Sequence, residues 1–135
     1  MNLEASLKIA AAGMQAQSAR LRVTAENLAN AQSTAQVPDG DPYRRRTISF
    51  AHTLDRATGA ELVRVRRFGE DPAPFDERFE PSHPAANEAG YVRYPNVNPL
   101  VELMDMREAQ RSFEANLTAM QQARGMLQRT LDLLR

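Results

Sequence analysis

The stretch that decides the fold is "YPNVNPLVELMDM", residues 94–106. Two prolines bracket "NVN", and an apolar-periodic run then continues to Arg135. Asn98 can cap a helix at this point, and Pro99 at the first helical position loses no hydrogen-bond donor that the helix needs. The sequence therefore predicts a terminal helix of about 36 residues, on the order of 50 Å long.

The prolines separate this helix from a second one at the start of the chain. All eight prolines lie between Pro38 and Pro99. Because a proline inside a helix costs ~3 kcal/mol, the segments on either side of this span can be helical. We predict the first helix from about Leu3 to about Asn30, since asparagine tolerates the left-handed conformation that often ends helices.

The middle of the chain has the composition of short strands and turns. The turn residues of "PDGDPY" (38–43) precede two segments with strand character, "YRRRTISF" and "ELVRVRRF", and "DRATG" between them is a turn. The segment "APFDERFEP" is predicted as a proline-limited edge strand. The fold class is therefore mainly α with a small β-rich insertion. Residues 1–30 and 99–135 are expected to form one helical domain, and residues 31–98 a loop and β-rich middle segment.

Apolar residues recur at heptad spacing along both helices, as in coiled coils. The small middle segment cannot cover a terminal helix of this length, so we expect these apolar positions to contact other chains, as in an intersubunit coiled-coil-like bundle. The predicted subunit interface comprises Leu7, Met14, Leu21, Leu28, Leu103, Met106, Phe113, Leu117, Met120, Leu127, Leu131 and Leu134. The predicted helix joints, where helices begin or end and loop backbone is tied, are Asn27, Asn30, Asn96, Asn98 and Pro99.

Composition argues against several classes of function. The formal net charge is zero, with 17 basic and 17 acidic residues, which removes the general electrostatic case for a nucleic-acid partner. Without cysteine, neither a disulfide framework nor a zinc–thiolate site can form. No stretch approaches the ~20 apolar residues of a membrane span, so direct membrane insertion is not expected. Glu4 and Lys8 interrupt the short apolar centre near the amino end, so a cleaved signal peptide is not expected either.

No residue pattern points to catalysis, to a metal or to a cofactor. His52 and His83 stand alone, without a second ligand at metal-binding spacing. The arginine groups at 44–46 and 64–67 favour a solvated strand face paired with nearby acidic loops, because residues 31–99 hold nine arginines and ten acidic residues. Nucleophile elbows, phosphate-binding glycine loops and His-Glu-x-x-His are absent from the sequence. We therefore expect a protein that is not an enzyme.

Three motifs resemble a known family. The segment "AAAGMQAQSARLRVTAENLANAQST" (10–34) resembles the amino-terminal signature of the bacterial flagellar axial proteins, which include the rod, hook and hook-associated subunits. "PDGDPYRRRTISF" (38–50) and "GYVRYPNVNPLVELMDMREAQRSFEANL" (90–117) are similar to segments of the proximal-rod subunits. The resemblance covers essentially the whole chain. Phe113 departs from it where tyrosine is common, as does Gly125, which weakens the last helix.

The resemblance implies a structural subunit of the periplasmic rod of the flagellar basal body. Such subunits are exported unfolded by the flagellar type III export apparatus without a cleaved signal peptide. They polymerise into a hollow drive shaft that transmits torque and through which axial proteins are exported. The implied partners are other copies of the chain, other rod subunits, and the inner-membrane ring and rod-adaptor proteins at the rod base. The terminal helices would form the inner tube, and the middle segment would make the outer contacts.

Two other classes of protein remain open on the residues alone. A cytoplasmic helical adaptor or secretion chaperone would use the heptad positions to bind a client helix. A small hydrolase would need a cluster of polar residues whose mutation abolishes activity, and the sequence nominates none.

Overall fold

The computed structural model describes residues 2–135. In chain order its elements are α1 (Leu3–Ala29), β1 (Arg46–Asp55), β2 (Ala60–Glu70), β3 (Asp76–Phe79), β4 (Tyr91–Tyr94) and α2 (Pro99–Leu133). Two long helices at the ends of the chain and a small β-rich region between them confirm the predicted fold class.

The end of α1 and the start of α2 lie within one residue of the predicted positions, and α2 ends two residues before Arg135. At the start of α2, the Leu100 amide donates to Asn98 Oδ1 at 3.1 Å, and the Glu102 amide donates to the Asn98 carbonyl oxygen, also at 3.1 Å. At the end of α1, the Asn30 side-chain amide donates to the Glu26 carbonyl oxygen at 2.9 Å. Asn30 does not adopt the expected left-handed conformation, since among residues 2–135 Asp39 is the one non-glycine residue with positive φ. Within the same residues, no helix combines the length and apolar character that crossing a membrane requires.

The strands form two separate two-stranded sheets, β1 with β2 and β3 with β4. Gly59 turns the chain between β1 and β2 with φ of 69°, and its amide donates to the Asp55 carbonyl oxygen at 2.8 Å. The predicted edge strand contains β3, which pairs antiparallel with β4 from Asp76 opposite Tyr94 to Phe79 opposite Tyr91. The sequence did not predict β4, because a four-residue strand before a proline has too little length to show alternation.

The chain divides into two compact units, each built from segments that are far apart in sequence. Unit 1 contains residues 1–21, 48–67 and 107–135, and unit 2 contains residues 22–47 and 68–106. Each unit therefore takes residues from α1, from α2 and from the β-rich middle. The predicted division into a helical domain (residues 1–30 and 99–135) and a middle segment (residues 31–98) refers to the assembled protein. It stays a prediction.

In unit 1, the hairpin of β1 and β2 lies against α1. Val63 and Val65 of β2 share a surface cavity with Ala12 and Ala16 of α1. The Lys8 ammonium donates to Asp55 Oδ2 at 3.0 Å, and the Thr58 hydroxyl donates to the same oxygen at 2.7 Å. These two hydrogen bonds, with that of Thr58 the stronger cause, hold the pKa of Asp55 below its usual range. Asp55 therefore holds both the turn and its contact with α1.

In unit 2, a small apolar core forms around the β3–β4 sheet. Val92 is fully buried, and Ala85 and Tyr94 pack with it. The Tyr94 hydroxyl donates to the Glu80 carboxylate at 3.0 Å, so its polar end is satisfied. Gly90, with φ of 85°, is required at the start of β4, because a Cβ there would lie 2.8 Å from Phe79 Cε2.

Candidate functional site

In unit 1 the two helices pack on each other through small residues. Ala10, Gly13 and Ala16 of α1 and Ala109 and Ala123 of α2 are buried. Gly13 lies so close to α2 that a Cβ would sit 2.7 Å from Asn116 Oδ1. Small residues allow this close approach, and they leave the larger apolar side chains at the margins of the contact.

The predicted interface residues are accordingly only half-buried or exposed. Leu7, Met14, Leu21, Leu28, Met106, Phe113 and Met120 are half-buried. The exposed members are Leu103 (44%), Leu117 (38%), Leu127 (40%), Leu131 (51%) and Leu134 (80%). Burying a leucine is worth ~1.5–3 kcal/mol, so covering these exposed side chains with a partner would favour association. Their assignment to a subunit interface remains a prediction.

The carboxyl end of α2 extends past the beginning of α1. In unit 1 the helices are antiparallel, since Arg20 pairs with Glu108 at 3.4 Å and Gly13 lies against Asn116. Both helices rise by about 1.5 Å per residue, so Leu3, ten residues before Gly13, comes level with about residue 126 of α2. The last turns of α2, residues 127–133, therefore continue the packed face with no α1 residue beside them.

In unit 2, Arg45 is held at the centre of a polar network. Its Nε donates to Oε1 of Glu102, whose carboxylate is fully buried. Its other nitrogens pair with Asp71 at 3.5 Å and with Asp105 at 3.8 Å. Burial lowers the pKa of Arg45, but the hydrogen bond and charge of Glu102 and the two aspartates outweigh this and raise it overall. The guanidinium thus stays charged and joins the first turns of α2 to the loop after β2.

Two of the predicted joint residues fix the backbone on either side of this arginine. Asn27 Oδ1 accepts hydrogen bonds from the Arg46 amide and the Tyr43 hydroxyl, both at 2.8 Å. Its Nδ2 donates to the Arg46 carbonyl oxygen at 2.9 Å and to Glu102 Oε2 at 3.3 Å. Asn96 accepts from the Arg45 amide at 2.8 Å. These bonds fix the backbone of residues 45 and 46 at the start of β1, which begins at Arg46 and not at Tyr43 as predicted. We call Asn27, Tyr43, Arg45, Asn96 and Glu102 the Arg45 network.

Sequence reasoning missed the central ion pair of this network. The sequence predicts residues 44–46 as part of a solvated strand face and does not single out Glu102. Glu102 lies in the first turn of α2, but its carboxylate is buried. A usable signal was its heptad spacing with Ala109, Asn116 and Ala123, which marks the face of α2 that turns toward the rest of the chain.

The remaining polar residues that the sequence singled out have different surroundings. His83 is built into its loop, where Nδ1 accepts from the Ala85 amide at 3.0 Å, whereas His52 is exposed on β1. Arg46 pairs with Glu26 at 3.1 Å, as expected for an arginine beside acidic groups. In β2, Arg64 and Arg66 are exposed, as expected for a solvated strand face, but they form no ion pair with an acidic group within residues 2–135.

Replacing Asn98 with alanine should lower the free energy of unfolding by ~1 kcal/mol, because the first turn of α2 loses its cap. Asn98→Asp, which keeps an oxygen at the same position, is the matched control and should unfold near the wild-type midpoint. Urea unfolding followed by circular dichroism measures both. If Asn98→Ala and Asn98→Asp unfold at the same urea concentration, the cap does not hold this helix start. In cells the alanine variant should weaken assembly while its export stays unchanged.

Stability should fall at alkaline pH because of the tyrosines of unit 2. Burial raises the pKa of Tyr43 and Tyr94 above the ordinary 10.0, and the nearby Glu26 and Glu80 carboxylates add to this. The folded protein then keeps protons that the unfolded chain releases, so this stability is complete below pH 10 and is lost as pH rises through the folded-state pKa values. Urea midpoints measured on both sides of pH 10 should fall with pH, and less steeply in Tyr43→Phe. If the urea midpoint falls equally with pH in Tyr43→Phe, the loss of stability does not come from Tyr43.

Comparison with known proteins gives matches along the whole chain. Residues 88–133 match the family described as "Flagellar basal body rod FlgEFG protein C-terminal". The flagellar basal-body rod protein FlgC of Agrobacterium fabrum is 47% identical over 98% of this chain and 96% of its own length. FlgC of Salmonella typhimurium is 39% identical over 93% of this chain and 92% of its own. FlgC of Bacillus subtilis is 36% identical, with 95% of each chain covered.

Two long terminal helices around a β-rich middle, together with these matches, define a flagellar basal-body rod protein. The three relatives share one name and align with nearly all of the chain. The chain therefore belongs to the FlgC family.

Proposed function

We propose that the chain is a structural subunit of the proximal rod, the periplasmic drive shaft of the flagellum. Subunits polymerise into a hollow helical tube that transmits torque and through which axial proteins are exported. The observation that carries this proposal is that Leu127, Leu131 and Leu134 are exposed at the carboxyl end of the chain, beyond the reach of α1. In a polymer the helices of neighbouring subunits cover these side chains.

The partners follow from the same proposal. The terminal helices contact other copies of this chain and sibling rod subunits. At the rod base, the partners are the inner-membrane ring and rod-adaptor proteins. Before assembly the chain passes unfolded through the flagellar type III export apparatus and keeps its amino terminus. The protein transmits force mechanically and has no catalytic role.

Complementation of a motile host that lacks its own FlgC tests this proposal. We expect the chain to restore swimming, to co-purify with basal bodies and to have there the mass of the uncleaved polypeptide. A cytoplasmic adaptor or secretion chaperone, the second candidate, would be absent from washed basal bodies and would remain soluble with its client. Finding the protein only in the cytoplasm of swimming cells would reject the rod subunit in favour of that class.

A further inference from the structure

The chain is neutral as a whole, but its two units have opposite charge. Unit 1 contains eleven basic and six acidic side chains, a net charge of +5. Unit 2 contains six basic and eleven acidic side chains, a net charge of −5. Opposite net charges on two parts of a molecule can steer and orient its association with other molecules. Every copy of the chain therefore presents both members of a complementary pair.

On unit 1, two exposed arginines of strand β2 provide positive charge for a contact. Arg64 and Arg66 lie two residues apart in β2, so their side chains leave the same face of the strand. Both are exposed, and neither forms an ion pair in the part of the chain that the structure describes. Arg64 also lines the open cavity beside α1, together with its neighbours Val63 and Val65. The two guanidinium groups are thus free to bind an acidic partner.

On unit 2, a surface cavity of about 290 Å³ has the matching chemistry. Its lining includes Asp39, Glu77, Asn87, Tyr91 and Arg93. Among residues 2–135, neither the Asp39 nor the Glu77 carboxylate forms an ion pair. Carboxylates that can bind a guanidinium in a bidentate manner, beside an aromatic ring, are a setting that arginine prefers.

The arginine already in this cavity does not neutralise it. Arg93 lies opposite Glu77 in the β3–β4 register. Its Nη1, however, pairs with Asp41 at 3.2 Å, and its Nη2 donates to the carbonyl oxygens of Asp39 and Gly40 at 2.6 and 3.1 Å. The Arg93 guanidinium therefore binds the loop of residues 39–41 and leaves the Asp39 and Glu77 carboxylates unpaired within the described residues. The cavity can accept a second guanidinium.

We propose that Arg64 and Arg66 of one copy bind this cavity of the next copy, between Asp39 and Glu77. The contact joins two different surfaces of the same chain, so it is head-to-tail and can repeat along a polymer, unlike a closed two-fold contact. The occupant is a second copy because the chain carries both the positive strand and the negative cavity. The inference rests on the proposed function and deepens it by naming one of the self-association surfaces.

The first test compares charge-neutral variants in the complemented host, with the unmodified chain assayed in parallel. Asp39→Asn combined with Glu77→Gln should reduce the amount of subunit in basal bodies about tenfold, because the arginines lose their carboxylate partners. Asparagine also tolerates the positive φ of position 39. The matched control, Asp76→Asn with Glu88→Gln, removes the same charge from exposed positions outside the cavity and should assemble normally. Equal assembly of the two variants, at either a normal or a reduced level, overturns the cavity contact.

Charge reversal provides a second test. A variant that had simply lost its fold would not be rescued by compensating substitutions in the cavity. Arg64→Glu with Arg66→Glu should lose assembly. Adding Asp39→Asn and Glu77→Arg should restore it, because position 39 then has no negative charge and position 77 is positive. If the fourfold variant folds but stays outside the rod, the proposal is wrong. Absence of the unmodified chain from basal bodies would instead reject the proposed function, so the two failures are distinguishable.

Zero-length cross-linking identifies the occupant directly. The chain has a single lysine, Lys8, so Arg64→Lys with Arg66→Lys adds two amines that a carbodiimide can couple to carboxylates in direct contact. In purified basal bodies we expect dimers of the subunit, with peptides joined between position 64 or 66 and Asp39 or Glu77. If positions 64 and 66 are linked only within one chain, or only to another rod protein, a second copy of the chain does not occupy the cavity.

Discussion

Removing residues 127–135 should abolish rod growth and swimming while leaving export intact. Leu127, Leu131 and Leu134 are exposed because α2 continues past the start of α1. Burying each in a neighbour is worth ~1.5–3 kcal/mol, and a polymer loses that contribution at every subunit. In the proposed function the chain is exported unfolded from its amino end, so the shortened protein should still reach the periplasm. Motility on soft agar and immunoblots of periplasmic fractions measure the two effects.

A full-length variant separates loss of the apolar face from loss of chain length. Leu127→Ala, Leu131→Ala and Leu134→Ala together should reproduce the truncation. Gln128→Ala, Arg129→Ala and Asp132→Ala lie on the polar side of the same turns and should swim at close to the normal rate. Normal swimming by the leucine variant would show that these turns are dispensable and that the predicted interface is wrong there.

Replacing Arg45 with methionine should destabilise unit 2 by about 3–5 kcal/mol, since removing one member of a buried ion pair leaves the other without its charged partner. Glu102 is fully buried, and Asp71 and Asp105 share the same guanidinium. The adjacent Arg46→Met is the matched control. Its pair with Glu26 is about two-fifths exposed on both sides, so its loss should cost only about 0–1 kcal/mol. The free energy of unfolding in urea measures the difference.

A second substitution distinguishes the ion pair from simple packing. Adding Glu102→Gln to Arg45→Met removes the unpaired buried charge and should recover part of the lost stability. If Arg45→Met costs no more than Arg46→Met, or if Glu102→Gln makes it worse, the buried pair does not hold unit 2 together.

The helices could be predicted closely because local chemistry sets their ends. The prolines exclude helix from the middle of the chain, and Asn98 with Pro99 defines the start of α2 within a few residues. The hairpin was also predictable, since "DRATG" supplies the glycine that its turn requires. These features depend on residues that are neighbours in sequence.

The features that sequence analysis missed depend on residues far apart in the chain. Strand β4 exists because β3 pairs with it, and its four residues alone do not define a strand. Burial of Glu102 depends on Arg45 and Asn27, which lie 57 and 75 residues away. The close approach of α1 and α2 at Gly13 likewise depends on Asn116, which is far from it in the sequence.

Cryo-microscopy of basal bodies from the complemented host tests the central claim most directly, because it shows what covers the terminal helices in the assembled rod. We predict that Leu103, Leu117, Leu127 and Leu131 pack against helices of neighbouring subunits, with the last turns of α2 ordered between them. A map in which this chain lies in the rod with these side chains facing solvent would contradict the account.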